Sequence, residues 1–193
     1  MGKIYIENRT FDKENYTSSP LEKAEYENCV FKNCDFSGSD LSDVKFTACD
    51  FICCNLSLAK LVNTAFRDVK FRECKMMGLR FEDCNEFGFA FDLNNCNLNH
   101  SSFYKTKLKK RVFRKSMFLE ADFSECDLTD TVFDDCDMMR ATFYHTIIEK
   151  TDLRQSRHYS IDPENNRIKK AKFSLYGVTG LLEKYDIEID HNI

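Results

Sequence analysis

Counted in fives from Ile6, the sequence meets a large apolar or aromatic residue at every step: Phe11, Tyr16, Leu21, Tyr26, Phe31 and Phe36 open a series that runs unbroken to Phe81. The series misses at Glu86, resumes two residues later at Leu93, and continues through Leu98, Phe103, Leu108 and Phe113 to Leu153. The position two before each large residue is mostly small, as at Ala24, Cys29, Cys34, Val44, Cys49, Thr64, Ser101, Ala121, Thr131 and Thr151, and the other three are mostly polar. Neither the helical period of 3.6 nor the strand period of 2 yields such a pattern. The chain must turn at each repeat, with two residues inward and three outward.

Four turns close a square coil of twenty residues, and coils stacked at the ordinary strand spacing of about 4.8 Å pair their backbones. A single coil buries little, whereas a stack buries a continuous core. The expected fold is therefore all-β: a right-handed quadrilateral parallel β-helix in which Phe31 stacks on Phe51 and Phe51 on Phe71. About thirty repeats at four per coil predict a rod of roughly 36 Å. The coil is assigned to residues 1–173, and residues 174–193 to a C-terminal element.

Nine of the ten cysteines fall on the small inward position, Cys53 being the exception. A buried free cysteine behaves as a small hydrophobe, and the Cys-x-x-Cys pairs of zinc and redox sites are missing. Packing is the expected role, with no metal and no cofactor.

The slip over 84–91 adds two residues and puts a carboxylate where an apolar centre belongs, so the coil must bulge or kink there. Either the segment is a functional loop or it is a kink in which Phe87 or Phe89 replaces the missing centre; two residues are few for a projecting loop. Past Leu153 the register fades through Arg157 to Asn166 and returns once at Ala171-Lys172-Phe173. Ser174 is then a plausible helix N-cap, with Leu175, Val178, Leu181, Leu182 and Tyr185 at helical spacing and Ile187 and Ile189 alternating as in a short strand. This element either caps the coil end or pairs with itself in a two-fold dimer.

A formal net charge of -4 disfavours binding driven by phosphate neutralisation. The outward charges fall into belts. Lys105, Lys107, Lys109, Lys110, Arg111, Arg114 and Lys115 occur without an acid, and Glu120, Asp122, Glu125, Asp127, Asp130, Asp134, Asp135 and Asp137 without a base. One reading is a solvated face with ion pairs between coils. The other is an acidic surface that imitates DNA phosphates and attracts a basic groove. Direct nucleic-acid binding by the basic belt is weaker, because Phe113 points inward and Tyr104 alone remains for stacking.

Catalysis needs a pocket with convergent polar groups, which a rod filled with Phe and Leu does not offer. His100, His145, His158 and His191 lie far apart and are expected at the surface. No phosphate loop or nucleophile elbow is present, so the chain is read as non-enzymatic. Met1 to Glu7 contains no long apolar stretch, no run anywhere is long enough to span a bilayer, and Ile6 stands where myristoylation wants Ser or Thr. The expected location is cytoplasmic, with no membrane partner.

The repeat over Cys29 to Leu41 resembles the pentapeptide-repeat family, and the likeness covers most of the chain. Cys54-Asn55-Leu56-Ser57-Leu58, the run from Phe71 to Gly78, Ser102-Phe103-Tyr104, Tyr159-Ser160-Ile161-Asp162 and Ala171-Lys172-Phe173-Ser174-Leu175 resemble its gyrase-protecting branch, which includes albicidin-resistance, quinolone-tolerance and microcin-immunity proteins. That resemblance implies a homodimer joined by the C-terminal helix, here Leu175 to Tyr185, and a DNA-like rod bound in the DNA saddle of DNA gyrase or topoisomerase IV. Two features depart from the branch. The two-residue slip cannot supply the long loops of the quinolone-resistance members, and Lys105 to Lys115 interrupts the acidic surface. A pentapeptide-repeat scaffold for another protein partner, with no topoisomerase role, is the alternative.

Overall fold

In the computed structural model, which describes residues 4–190, the five-residue period becomes four flat faces. Tyr5–Glu7, Glu25–Glu27, Lys45–Thr47 and Ala65–Arg67 form a four-stranded sheet on the first face. The second face is a seven-stranded sheet that includes Val30–Lys32, Asp50–Ile52, Val69–Arg72, Phe91–Asn94 and Val132–Asp134. All of this pairing is parallel, as stacked coils of one hand require. On the third face Asn15, Asp35, Asn55, Lys75, Asn97, Met117, Asp137 and Arg157 bridge in turn, and on the fourth Arg80, Ser102, Asp122 and Thr142 do the same.

The step between partners reports the slip directly. Asp50 pairs with Lys70 and Val112 with Val132, but Val69 pairs with Phe91, Lys75 with Asn97 and Arg80 with Ser102. Two residues are thus absorbed in one coil and the register on either side is intact.

Large centres fill the interior. The rings of Phe31 and Phe51 stack at 4.8 Å and those of Phe51 and Phe71 at 5.0 Å, while Phe31 meets Phe46 edge-on across the coil at 5.6 Å. The small inward position carries a second requirement. Its side chain donates to the carbonyl of the centre residue in the preceding coil: Cys54 Sγ to Phe31 O at 3.3 Å, Thr64 Oγ1 to Leu41 O at 2.7 Å and Ser156 Oγ to Phe133 O at 3.0 Å. Cys, Thr and Ser are small enough for the site and supply a donor; Ala and Val meet only the first demand. Nine cysteines are buried and free, and Cys53 alone is exposed. Burial pushes the thiols of Cys49, Cys126 and Cys136 up to about 12.

At the slip the expected replacement is corrected in part. Phe87 does not enter the core; it is 79% exposed and lies under the Arg67 guanidinium, 5.2 Å from the ring. Phe89 does go inward, against Phe81 and Phe91. Phe91 adds what the sequence reading missed: a large ring at the small inward position, fully buried and stacked on Phe81 at 5.1 Å. Two phenylalanines thereby fill the space that Glu86 leaves.

The C-terminal helix is also corrected. Gly177–Leu181 and Glu183–Tyr185 are short 3-10 turns, and Ile187 and Ile189 belong to no strand. Ser174 Oγ accepts the Gly177 N–H at 3.0 Å, as an N-cap should. Packing decides the geometry beyond that point: a Cβ on Gly180 would stand 2.1 Å from the Tyr159 carbonyl oxygen, and one on Gly177 2.0 Å from the Tyr159 hydroxyl. The turns lie directly on the last coil, with Ile161 N–H donating to Gly180 O at 2.9 Å. No helix among the described residues is long and apolar enough to cross a membrane.

Candidate partner-binding surface

Outward side chains occupy three positions in each repeat, and the last is a corner. Corner residues adopt left-handed backbone, φ being 54° at Asn33, 60° at Asp130 and 53° at Asp135. Asn and Asp tolerate that conformation better than other non-glycine residues. The corner requirement therefore places Asp130 and Asp135 on ridges, while Asp122, Asp127 and Asp137 sit before the centre and bridge coils.

Most of the belt is ion-paired with adjacent coils. Glu125 receives Lys105 at 3.5 Å, Asp127 receives Lys109 at 2.8 Å and Asp134 receives Arg114 at 3.7 Å, each base lying in the preceding coil. From the following coil Arg140 reaches Glu120 at 3.3 Å, and Arg157 spans Asp135 and Asp137 at 3.0 and 3.2 Å. The basic and acidic belts are thus two halves of one ladder, with a spacing of one coil. The Asp122 carboxylate accepts the Ser124 N–H at 2.8 Å, and neither it nor Asp130 has an ion pair among the described residues. The Asp127 and Asp137 carboxyls are held low despite the opposing effect of desolvation, Asp127 by Lys109 and Thr129, Asp137 by His158, the Met139 amide and Arg157.

The expected dimer residues do not form one helical stripe. Leu175 and Tyr185 are exposed at 72% and 51%, Val178 is partly exposed, and Leu181 packs against the core. Leu182 is half-buried. His100, His145 and His158 are at the surface; His191 lies outside the described residues.

No group of His, Cys, Asp and Glu among the described residues has the arrangement of a metal site. Among the described residues the interior is filled by large side chains. A recess of about 40 Å³ at the slip, lined by Phe81, Glu82, Glu86, Phe89 and Lys107, is too small for a substrate. What this molecule offers a partner is its outside.

A parallel quadrilateral β-solenoid with a solid core and charged faces is a rigid repeat scaffold. The chain belongs to the pentapeptide-repeat family: the family's "pentapeptide repeat region" profile matches residues 24–92, and its "pentapeptide repeats (8 copies)" profile matches residues 116–155. Among solved structures it is similar to a trypsin-treated form of QnrB1, a plasmid-mediated fluoroquinolone resistance protein, at 24% identity over 97% of this chain and 98% of that one, with a TM-score of 0.47. It is also similar to full-length QnrB1, at 24% identity over 95% of this chain and 100% of that one, with a TM-score of 0.43. HetL, a pentapeptide-repeat protein involved in heterocyst differentiation regulation in the cyanobacterium Nostoc sp. strain PCC 7120, shares 14% identity over 88% of this chain and 85% of that one, with a TM-score of 0.50. No curated protein sequence matches significantly.

Proposed function

We propose that the rod is a non-catalytic binding module whose partner is a type II topoisomerase, DNA gyrase or topoisomerase IV, and that it confers tolerance to agents directed at that enzyme. The contact surface is the belt from Glu120 to Asp137. The observation that carries the reading is that its carboxylates stand on a rigid backbone and their ion-pair partners are exposed: the side chains of Asp134 and Asp135 are 49% and 56% accessible, and those of Arg114 and Arg157 53% each. Exposed pairs of this kind are worth about 0–1 kcal/mol, so a basic groove can replace Arg114, Arg157 and Lys105 at little cost. The sequence likeness to the gyrase-protecting branch supplies the kind of groove.

Gyrase supercoiling with purified protein, with and without a gyrase poison, is the test. Protein at micromolar concentration should inhibit supercoiling or restore the poisoned reaction, and reversing Asp134, Asp135 and Asp137 to Lys should abolish the effect. No effect of the wild-type chain in either assay removes the topoisomerase from the reading.

A second reading, a scaffold for a different protein, is favoured by the ladder of ion pairs itself, which leaves little uncompensated negative charge. Its partner would bind with little dependence on salt, whereas phosphate mimicry weakens as the Debye length falls from about 10 Å at 0.1 M to about 3 Å at 1 M.

A further inference from the structure

On its third face the rod carries a line of exposed apolar side chains beside Lys75, Glu120, Asp137 and Arg157. Backbone pairing fixes its three outward columns. Asn55, Lys75, Asn97, Met117 and Asp137 bridge in that order. Beside them the amides of Leu58, Gly78, His100 and Glu120 donate to the carbonyls of Met77, Asn99, Leu119 and Met139. Leu58, Met77, Met117 and Met139 are exposed, by 70% in the case of Leu58 and 37–44% in the methionines. Leu58 lies against Gly78, where a Cβ would stand 2.7 Å from Leu58 Cδ2. Lys75, in the middle of this face, makes no ion pair among the described residues.

We infer that this face is a self-association surface whose occupant is a second copy of the chain, the two rods lying antiparallel about a two-fold axis. Such an axis, crossing the rods within the interface, reverses the order of the coils and keeps each column opposite itself. Placed midway between the coils of Asn97 and Met117, it sets Met77 against Met139 of the second copy, Asn99 against its Leu119, Lys75 against its Asp137 and His100 against its Glu120. Every contact occurs twice. Sliding one rod by a single coil destroys the match: in one direction His100 meets its own symmetry mate, and in the other Glu120 meets its own while Lys75 meets Arg157. A parallel pair, with the axis along the rods, would press Lys75 on Met77 and Asp137 on Met139, desolvating charge against thioether.

Asp137 already accepts from Arg157, His158 and the Met139 N–H, and Glu120 from Arg140 and from His100 at 3.3 Å, within one chain, so the cross-chain His100 shares Glu120 with the chain's own His100. A carboxylate has about four acceptor sites, so Lys75 joins an existing network at Asp137 and displaces nothing. The matched zone covers about four coils, on the order of 20 Å, which is less than a standard interface of about 800 Å² per partner. The dimer is therefore weak and concentration-dependent. It shares Glu120 and Asp137 with the proposed topoisomerase surface, so the two occupants exclude one another there, but self-association of the purified chain is read without that enzyme; it uses a different surface from the C-terminal end.

The test uses the full chain with Cys53→Ser to remove the exposed thiol. Sedimentation velocity should show association across the micromolar range. It should be lost in the double variant Met77→Glu with Met139→Glu and kept in Leu175→Glu with Val178→Glu. Mild oxidation gives the register: M77C alone and M139C alone should stay monomeric on a denaturing gel, and an equimolar mixture should form a covalent dimer. A wild-type chain that sediments as a monomer throughout overturns the inference. So does association lost only in the C-terminal variant, or cross-linking as efficient in either single variant as in the mixture.

Discussion

At many turns of the coil the residue before the centre both bridges two coils and satisfies a backbone amide two positions on. Asp35 Oδ1 accepts the Ser37 N–H at 2.9 Å and the Ser37 hydroxyl at 2.7 Å; Asp40 does the first of these for Ser42, and Asp152 for Arg154 at 3.2 Å. Asn does the same with a neutral amide, as at Asn15, Asn55 and Asn97 in the column that contains Asp35. The acids carry a pH dependence that the amides do not. The Ser37 hydroxyl and amide hold the Asp35 carboxyl below the ordinary range, Ser42 does so for Asp40, and the Arg154 guanidinium for Asp152. A depressed carboxyl contributes stability that is fully present above its unfolded value, about pH 4, and is lost as pH falls through the folded value. The thermal midpoint should accordingly be flat near neutrality and drop below about pH 4. Asp35→Asn keeps the acceptor and should shallow that drop while leaving the midpoint at pH 7 nearly unchanged. An unaltered acid limb, measured by circular dichroism melts from pH 7 to pH 2.5, would remove Asp35 from the account. This division of labour was visible in the sequence only as "polar outward": the spacing named the position, but the bond to the residue two ahead needs the turn geometry. The inward cysteines were legible as packing, whereas their donation to the carbonyl of the preceding coil was not, since that partner lies twenty-three residues away.

For the elements, legibility followed periodicity. The coils follow from the fives, and so does the place of the slip. What fills the slip does not, because a hydrophobic residue near a gap can turn either way. Phe87 is clamped outside, its amide donating to Asn85 Oδ1 at 3.0 Å and its carbonyl accepting from Arg67 Nε at 3.1 Å, while Phe89 and Phe91 turn in. The consequence is asymmetric. Phe89→Ala should cost about 2 kcal/mol, below the ~3–5 kcal/mol for loss of a fully buried ring because Phe89 is only half-buried. Phe87→Ala should stay within about 0.5 kcal/mol. Urea midpoints at a common slope would read both, and equal losses would mean that the Phe87 ring, too, is core. The C-terminal element failed as an α-helix for a reason that periodicity does not carry. Its apolar spacing is helical, but Gly177 and Gly180 are there to admit Tyr159, and close contact with the last coil holds the chain in short 3-10 turns. The belts were legible as runs of charge, and their mutual pairing followed once one coil equalled twenty residues.

Across the whole molecule, stability rests on nearest-neighbour stacking, so any break in the ladder bears on how the rod unfolds. One break exists. Below the slip the bonds hold, Asn85 N–H to Thr64 O at 2.9 Å and Ala90 N–H to Phe66 O at 2.9 Å. Above it, among the described residues, the Lys107 amide has no counterpart to the bonds that Asp127 makes to Thr106 O and Ile147 to Cys126 O, at 2.9 Å each, on the same face. The other three faces continue across this level through Asn95 to Arg114, Asn97 to Cys74 with Leu98 to Met117, and Ser102 to Leu79 with Phe103 to Asp122. A seam on one side of four does not divide the stack, and Phe81, Phe91 and Phe113 remain stacked through the interior beside it. The rod should therefore unfold in a single transition, with one local weakness. In native-state hydrogen exchange the Lys107 amide should exchange far faster than those of Asp127 and Ile147, which occupy the same column three and four coils above the slip's lower neighbour, Ala65. Equal protection at the three positions would show that the seam is closed in solution. Two unfolding transitions would show instead that it separates the halves despite the three continuous faces.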